Sequence, residues 1–217
     1  MDRGTTELIV LATTKVGENA VVVHTLSKEW GRRGFLVPSA RKAGTALLLP
    51  LNILEAEVVE NPKSELWSIR NLQARDSLNG IRSNLHKNTM SLFLSEVLFR
   101  TLREGTYEDG LYEWCVGSIL TLDALQADFA NFHIRFLLEL SGALGFRPTF
   151  ADVAPFAGEN APLLQPFLSA DFGQSMLLPL SGEQRSTLCE ALLGYLEYHT
   201  DQPIRIKSLS VLRELYR

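Results

Sequence analysis

Residues 28–42, KEWGRRGFLVPSARK, set five cations (Lys28, Arg32, Arg33, Arg41, Lys42) against one carboxylate, Glu29, with the ring of Trp30 among them. Lysine and arginine gain affinity for nucleic acid by neutralising phosphates and releasing counterions, with no need to read a base sequence. Arginine also forks onto phosphate oxygens and stacks on bases. The chain as a whole is acidic, with net charge −4, so this local positive charge is not a by-product of composition. A solvated loop with ordinary surface charge is the plainer reading of the same residues. Trp30 likewise has two readings: it stacks on a base, or it pins its turn to the fold. If the cluster binds a phosphate backbone, its side chains must converge into one cationic ridge.

Other chemistry is poorly supplied. Ser39-Ala40-Arg41-Lys42 fits the S-x-x-K spacing of serine acyl-enzymes, but the companion SDN and KTG elements are missing. His24, His86, His133 and His199 are scattered, with no H-E-x-x-H. His133 lies beside an apolar helix stripe and reads as a core-edge residue. Glu55 and Glu57 share one wet strand face. There is no Walker loop or G-x-G-x-x-G. No carboxylate cluster is placed to hold metal for phosphodiester chemistry. The expectation is a protein that is not an enzyme and carries no cofactor. Cys115 and Cys189 are far apart and form no CxxC pair, which argues against a zinc ribbon or a disulfide framework. No apolar run approaches the roughly 20 residues of a membrane span, and the N-terminal residues lack a secretory pattern. A cytoplasmic protein with no membrane role is expected.

The elements that must position these residues change texture near residue 78. Before it, short β-branched runs read as strands. Glu7–Thr14 and Asn19–Ser27 form a hairpin about Gly17. A third strand, Gly34–Ser39, follows a turn at Trp30–Gly34. A fourth starts at Pro50, where Leu54, Ala56 and Val58 alternate with Glu55 and Glu57. In a fifth, after the Asn61-Pro62-Lys63 turn, Trp67 and Ile69 alternate with Ser68 and Arg70. Five strands in the first 78 residues is the count and size of an OB-type barrel, although another small barrel or a sandwich fragment shares it.

After residue 80 the period becomes 3.6. Met90, Phe93, Leu94, Val97, Leu98, Thr101 and Leu102 make one stripe. Phe129, Phe132, Phe136, Leu137, Leu140 and Leu144 make another, ending near Gly145. Leu111–Leu125 is a third helix. Ser181 and Gln184 form a capping box, and Ser208–Tyr216 is a short last helix. Residues 149–179, rich in Pro, Gly and Ala, read as an irregular excursion that still packs. Its apolar islands, Phe156, Leu163–Leu164 and Phe167–Leu168, suit either satellite core or a partner groove. Arg135, amid phenylalanines, suits the terminal carboxylate of an apolar peptide tail or an internal salt bridge. The fold class is therefore α+β: an OB-type barrel over residues 1–78, then an all-α domain over 79–217.

In order and spacing, several segments together resemble the RecO family, bacterial recombination mediators, in its Bacteroidetes-like forms. They are GENAVVVHTLSKEWGRRGFLV (17–37), LLLPLNILEAEV (47–58), SLFLSEVLFRTLRE (91–104), NFHIRFLLELSGALGFRP (131–148) and IKSLSVLREL (206–215). The resemblance implies binding of single- and double-stranded DNA and annealing of complementary strands. It implies partnership with RecR, contact with the C-terminal tail of single-stranded DNA-binding protein, and indirect loading of RecA. It places the DNA-binding cations at Arg32, Arg33, Arg41 and Lys42, beside Lys28 and Trp30, and the tail carboxylate at Arg135. Many members carry a four-cysteine zinc module between the late helices. Residues 149–179 hold no cysteine, so no metal is expected. A protein–protein adaptor whose barrel binds no nucleic acid is the rival reading.

Overall fold

The structure, a computed structural model, describes residues 3–38, 44–64 and 66–215. Five strands come first: β1 (Arg3–Val16), β2 (Ala20–Ser27), β3 (Gly31–Val37), β4 (Ile53–Val59) and β5 (Trp67–Ala74). They close into a barrel in the order β1-β2-β3-β5-β4, an OB-type fold.

The long β1 closes the barrel by serving two neighbours. Its first half pairs with β4 from Arg3↔Val59 to Ile9↔Ile53, and its second with β2 from Leu8↔Ser27 to Val16↔Ala20. The register shifts between Val10 and Ala12, a bulge that bends the strand from one partner to the other. Gly17 makes the hairpin turn at φ +66°, a left-handed conformation open to glycine without steric cost. The alternation in β4 holds: Leu54, Ala56 and Val58 are buried with Leu8, Val10, Val23, Phe35, Val37 and Ile69, while Glu55 is exposed.

The third strand begins earlier than its composition suggests. Residues 31–33, expected in a turn, are paired with β2 at Ser27↔Gly31, Leu26↔Arg32 and Thr25↔Arg33. Both arginines therefore stand on a pleated strand, where successive side chains leave on opposite faces.

Nine α-helices follow among the described residues. They are α1 (Asn79–Ser83), α2 (Leu85–Thr101), α3 (Leu111–Ala124), α4 (Phe132–Ala143), α5 (Phe150–Ala157), α6 (Gln165–Ser169), α7 (Phe172–Leu177), α8 (Gly182–Thr200) and α9 (Leu209–Leu215). The chain divides into two compact units. One takes in the barrel to Asn79 together with Leu94–Gly117; the other takes in Gly80–Phe93 and the chain from Ser118 onward.

Residues 149–179 are mostly helical rather than irregular, as α5, a 3-10 stretch (Gly158–Leu163), α6 and α7. Val153, Ala157, Leu164, Phe167 and Met176 are buried, so the segment packs as expected. Side chains of α4 and its flank hold it. Asn131 Nδ2 donates to the carbonyls of Ser175 (3.1 Å), Met176 (3.3 Å) and Leu178 (2.8 Å). Arg185 Nε in turn donates to Asn131 Oδ1 at 3.0 Å. The capping box that opens α8 is complete: Gln184 N donates to Ser181 Oγ at 3.1 Å, and Ser181 N to Gln184 Oε1 at 2.8 Å.

Candidate nucleic-acid interface

The turn into β3 is a compact hydrogen-bonded knot. Ser27 Oγ accepts from Trp30 N at 3.0 Å and donates to the Gly31 carbonyl at 3.1 Å. Gly31 sits at φ +62°, and a Cβ there would lie 1.9 Å from the Thr106 carbonyl oxygen. Only glycine allows that approach. It lets the chain at Gly105 and Thr106 cover the edge of β3, with Gly105 N donating to Arg32 O at 2.9 Å and Arg32 N to Thr106 O at 3.3 Å. β5 pairs with β3 only at Phe35↔Trp67 and Leu36↔Ser68, so this cover protects backbone groups that would otherwise form an open edge.

Trp30 pins its turn. Its ring meets Trp67 edge-on at 5.6 Å and Phe35 at 6.1 Å, packed against the barrel core. Lys28 is exposed.

Arg32 and Arg33 part company. Arg32 leaves the outer face of β3, with its guanidinium 4.5 Å from the centroid of Phe99 and 4.0 Å from Glu104. Its side chain is only 13% exposed. Burial draws its pKa below the ordinary arginine value; Glu104 opposes this and nearby Arg100 adds to it. His24 of β2, paired with Gly34 of β3, joins the group by meeting Phe99 edge-on at 5.0 Å. Burial and then Arg32 lower the His24 pKa, with Glu104 pulling the other way.

Arg33 shares its side of β3 with Phe35 and Val37. Its guanidinium lies 3.7 Å from the centroid of Trp67. There it lines an open groove of ≈ 560 Å³ with Glu60, Asn61, Pro62, Lys63, Ser64 and Trp67, walled by the loop between β4 and β5.

Arg32 and Arg33 thus occupy two settings and do not point together. The strand pleat sends Arg32 to Phe99 and Glu104, and Arg33 to Trp67 and the groove that Lys63 also lines. Arg41 and Lys42 lie outside the described residues. Lys63 was legible only as a turn residue, and Arg100 only as one residue of the segment 91–104. Neither carried a sequence signal linking it to β3, because both are brought close by tertiary packing.

Arg135 belongs to the helical unit and is held internally. Its Nε donates to Glu139 Oε1 at 2.5 Å, and its Nη1 to the carbonyls of Ala170 (2.8 Å) and Phe167 (3.3 Å). Of its two sequence readings, the salt bridge is present. His133 is buried, and burial followed by Arg185 lowers its pKa to about 3. Cys115 and Cys189 are buried thiols whose pKa values burial pushes up. Among the described residues, no group of three or more His, Cys, Asp or Glu is placed to hold a metal ion, and no helix is long and apolar enough to cross a membrane.

Two family models match this chain: "Recombination protein O N terminal" over residues 1–78 and "Recombination protein O C terminal" over residues 82–154. The chain is similar to the DNA repair protein RecO of Bacteroides fragilis, at 30% identity over 235 residues, covering 96% of this chain and 97% of that one. It is also similar to the DNA repair protein RecO of Phocaeicola vulgatus (29%, covering 96% and 97%) and of Flavobacterium psychrophilum (26%, covering 97% and 98%).

Proposed function

From its membership of the RecO family, to which this chain belongs, we propose that the protein is a non-catalytic mediator of DNA repair and recombination whose barrel holds DNA by its backbone. The observation that carries the site is the groove beside Trp67, where Arg33 stacks on the Trp67 ring and Lys63 lines the same groove. OB barrels bind oligonucleotides through the face of strands 2 and 3 and through the loops between strands 1–2 and 4–5. The groove is built from that last loop and from β3. A guanidinium already stacked on a tryptophan leaves its outer face for a base, and the Lys63 ammonium suits the neighbouring phosphate.

Annealing follows from the same charges. Two phosphate chains held on one cationic surface repel each other less, and base pairing then drives the duplex with no nucleotide hydrolysis. Partnership with RecR, contact with the tail of single-stranded DNA-binding protein near Arg135, and indirect loading of RecA complete the proposal. They rest on the family likeness. Arg41 and Lys42 remain candidate backbone contacts on the same ground.

The test is fluorescence anisotropy with labelled oligo-dT over a salt series. Each phosphate contact on a single strand adds about 0.7 to the slope of log affinity against log salt. The double substitution Arg33→Ala/Lys63→Ala should lower that slope by roughly 1.4 on this scale. An unchanged slope would remove the groove from the interface. Failure of the unaltered protein to bind oligo-dT at micromolar concentration would favour the adaptor reading instead.

A further inference from the structure

The helical unit carries a continuous aromatic surface that the DNA reading does not use. Five rings adjoin. His199 lies flat on Phe146, with centroids 4.9 Å apart and planes at 7°. It touches Tyr195 at 4.4 Å and Tyr198 at 5.2 Å. Phe156 closes the set, 5.8 Å from Tyr195 and 6.0 Å from Tyr198.

The set is rigidly built. Tyr195 is buried and donates its hydroxyl to the Phe146 carbonyl at 3.0 Å. Phe156 presses on α8 where Gly194 leaves room, its Cδ1 only 3.3 Å from the position a Cβ would take. Yet the outer rings face solvent: Tyr198 is 73% exposed and Phe156 38%. A contiguous apolar patch left open to solvent marks an interaction site, whereas singly exposed apolar residues are ordinary. Four of the five residues lie beyond residue 154, where the family-model match ends.

The charge beside the rings selects the partner. Asp152 stands close enough to act on both His199 and Tyr195. Its carboxylate accepts from Thr149 N at 2.8 Å and from Thr149 Oγ1 at 2.6 Å, which keeps it ionised. The chain segments that supply the rings, 146–159 and 195–201, carry four carboxylates (Asp152, Glu159, Glu197, Asp201) and one arginine, Arg147. An excess of carboxylates of this kind disfavours a phosphate backbone. A cation is attracted twice, by the negative faces of the rings and by the carboxylate.

We propose that this surface, formed by α5, the end of α8 and Phe146, docks an arginine- or lysine-bearing segment of a protein partner, with the cation over Tyr198 and Phe156 and Asp152 at its edge. The proposal is independent of the DNA site on the barrel.

The full-length protein, with its five tyrosines ring-labelled for NMR, can be titrated with a short peptide of alternating glycine and arginine. A glycine–glutamate peptide and oligo-dT serve as comparisons. The arginine peptide alone should move the Tyr198 signal and leave Tyr107 unmoved. Tyr198→Ala should weaken it about fivefold, in the range of one exposed cation–π contact, while Tyr198→Phe keeps the affinity. Asp152→Asn, which retains an acceptor for Thr149, should weaken it about twofold, as expected for an exposed charge pair. Equal binding by the Tyr198→Ala protein would overturn the proposal. So would movement of the Tyr198 signal by oligo-dT but not by the arginine peptide, which would make this a base-stacking surface.

Discussion

The arginines of the barrel and those of the helical unit do different work. On β3, Arg32 and Arg33 lie on the faces of Phe99 and Trp67. A guanidinium on a ring is positioned through the face of its plane. In the helical unit, Arg135 and Arg185 aim their N–H groups at the carbonyls of Phe167, Ala170 and Leu180. There those donors bind within the fold. A count of cations cannot tell these uses apart; what each guanidinium touches can. Substitutions in the helical clasp should therefore change stability without changing DNA affinity, and substitution of Arg33, which opens on the groove, should do the reverse.

The largest effect is expected at Asn131. It is buried, donates to three carbonyls and accepts from Arg185. Asn131→Ala strips those partners at a buried position. At 1–3 kcal/mol for each buried polar group left unsatisfied, a loss of about 3 kcal/mol is expected. Urea unfolding should show the midpoint falling, while oligo-dT affinity of the folded fraction stays within twofold. A midpoint unmoved by the substitution would mean that residues 165–178 are held by apolar packing alone.

Next comes a pH effect confined to the same unit. His133 is neutral in the fold because burial, and then Arg185, hold its pKa near 3 against 6.5 for the free side chain. Unfolding restores the higher value, so the unfolded chain binds the proton first as pH falls. The contribution is complete above about pH 6.5 and declines at about 1.4 kcal/mol per unit below it, levelling off near pH 3. At pH 5 the loss is about 2 kcal/mol. His133→Gln should flatten this part of the stability–pH curve, whatever it costs at pH 7. An equally steep curve in the variant would assign the acid sensitivity to other groups.

These sites differ in how far the sequence announces them. Period-2 burial at Leu54, Ala56 and Val58, the Gly17 turn and the Ser181–Gln184 box are local in sequence, and each was legible from a few adjacent residues. The start of β3 was not. It depends on Gly31 meeting Thr106, which is remote along the chain, and with it went the geometry of both arginines. The packing of Trp30 on Trp67 was equally out of reach, because the two rings are remote along the chain. Residues 149–179 misled for another reason. Helices of five to eight residues are too short to display a 3.6 period, and Pro155, Pro162 and Pro166 read as breaks although Pro166 lies in the first turn of α6, where proline is tolerated.

The smallest effect, and the sharpest test of the comparison, concerns the two neighbours on β3. Arg33 opens on the groove beside Lys63; Arg32 is mostly buried between Phe99 and Glu104. If exposure to the groove decides phosphate contact, Arg33→Ala should lower the single-strand salt slope by about 0.7, and Arg32→Ala by much less. Arg32→Ala should instead cost packing, because its stem and guanidinium cover Phe99. A loss of about 1 kcal/mol in urea unfolding is expected, the size of one cation–π contact with its buried area. Both variants can be read in one salt series and one unfolding curve each. Equal slopes for the two would show that the strand pleat does not divide their roles, and that the cationic surface is wider than the groove.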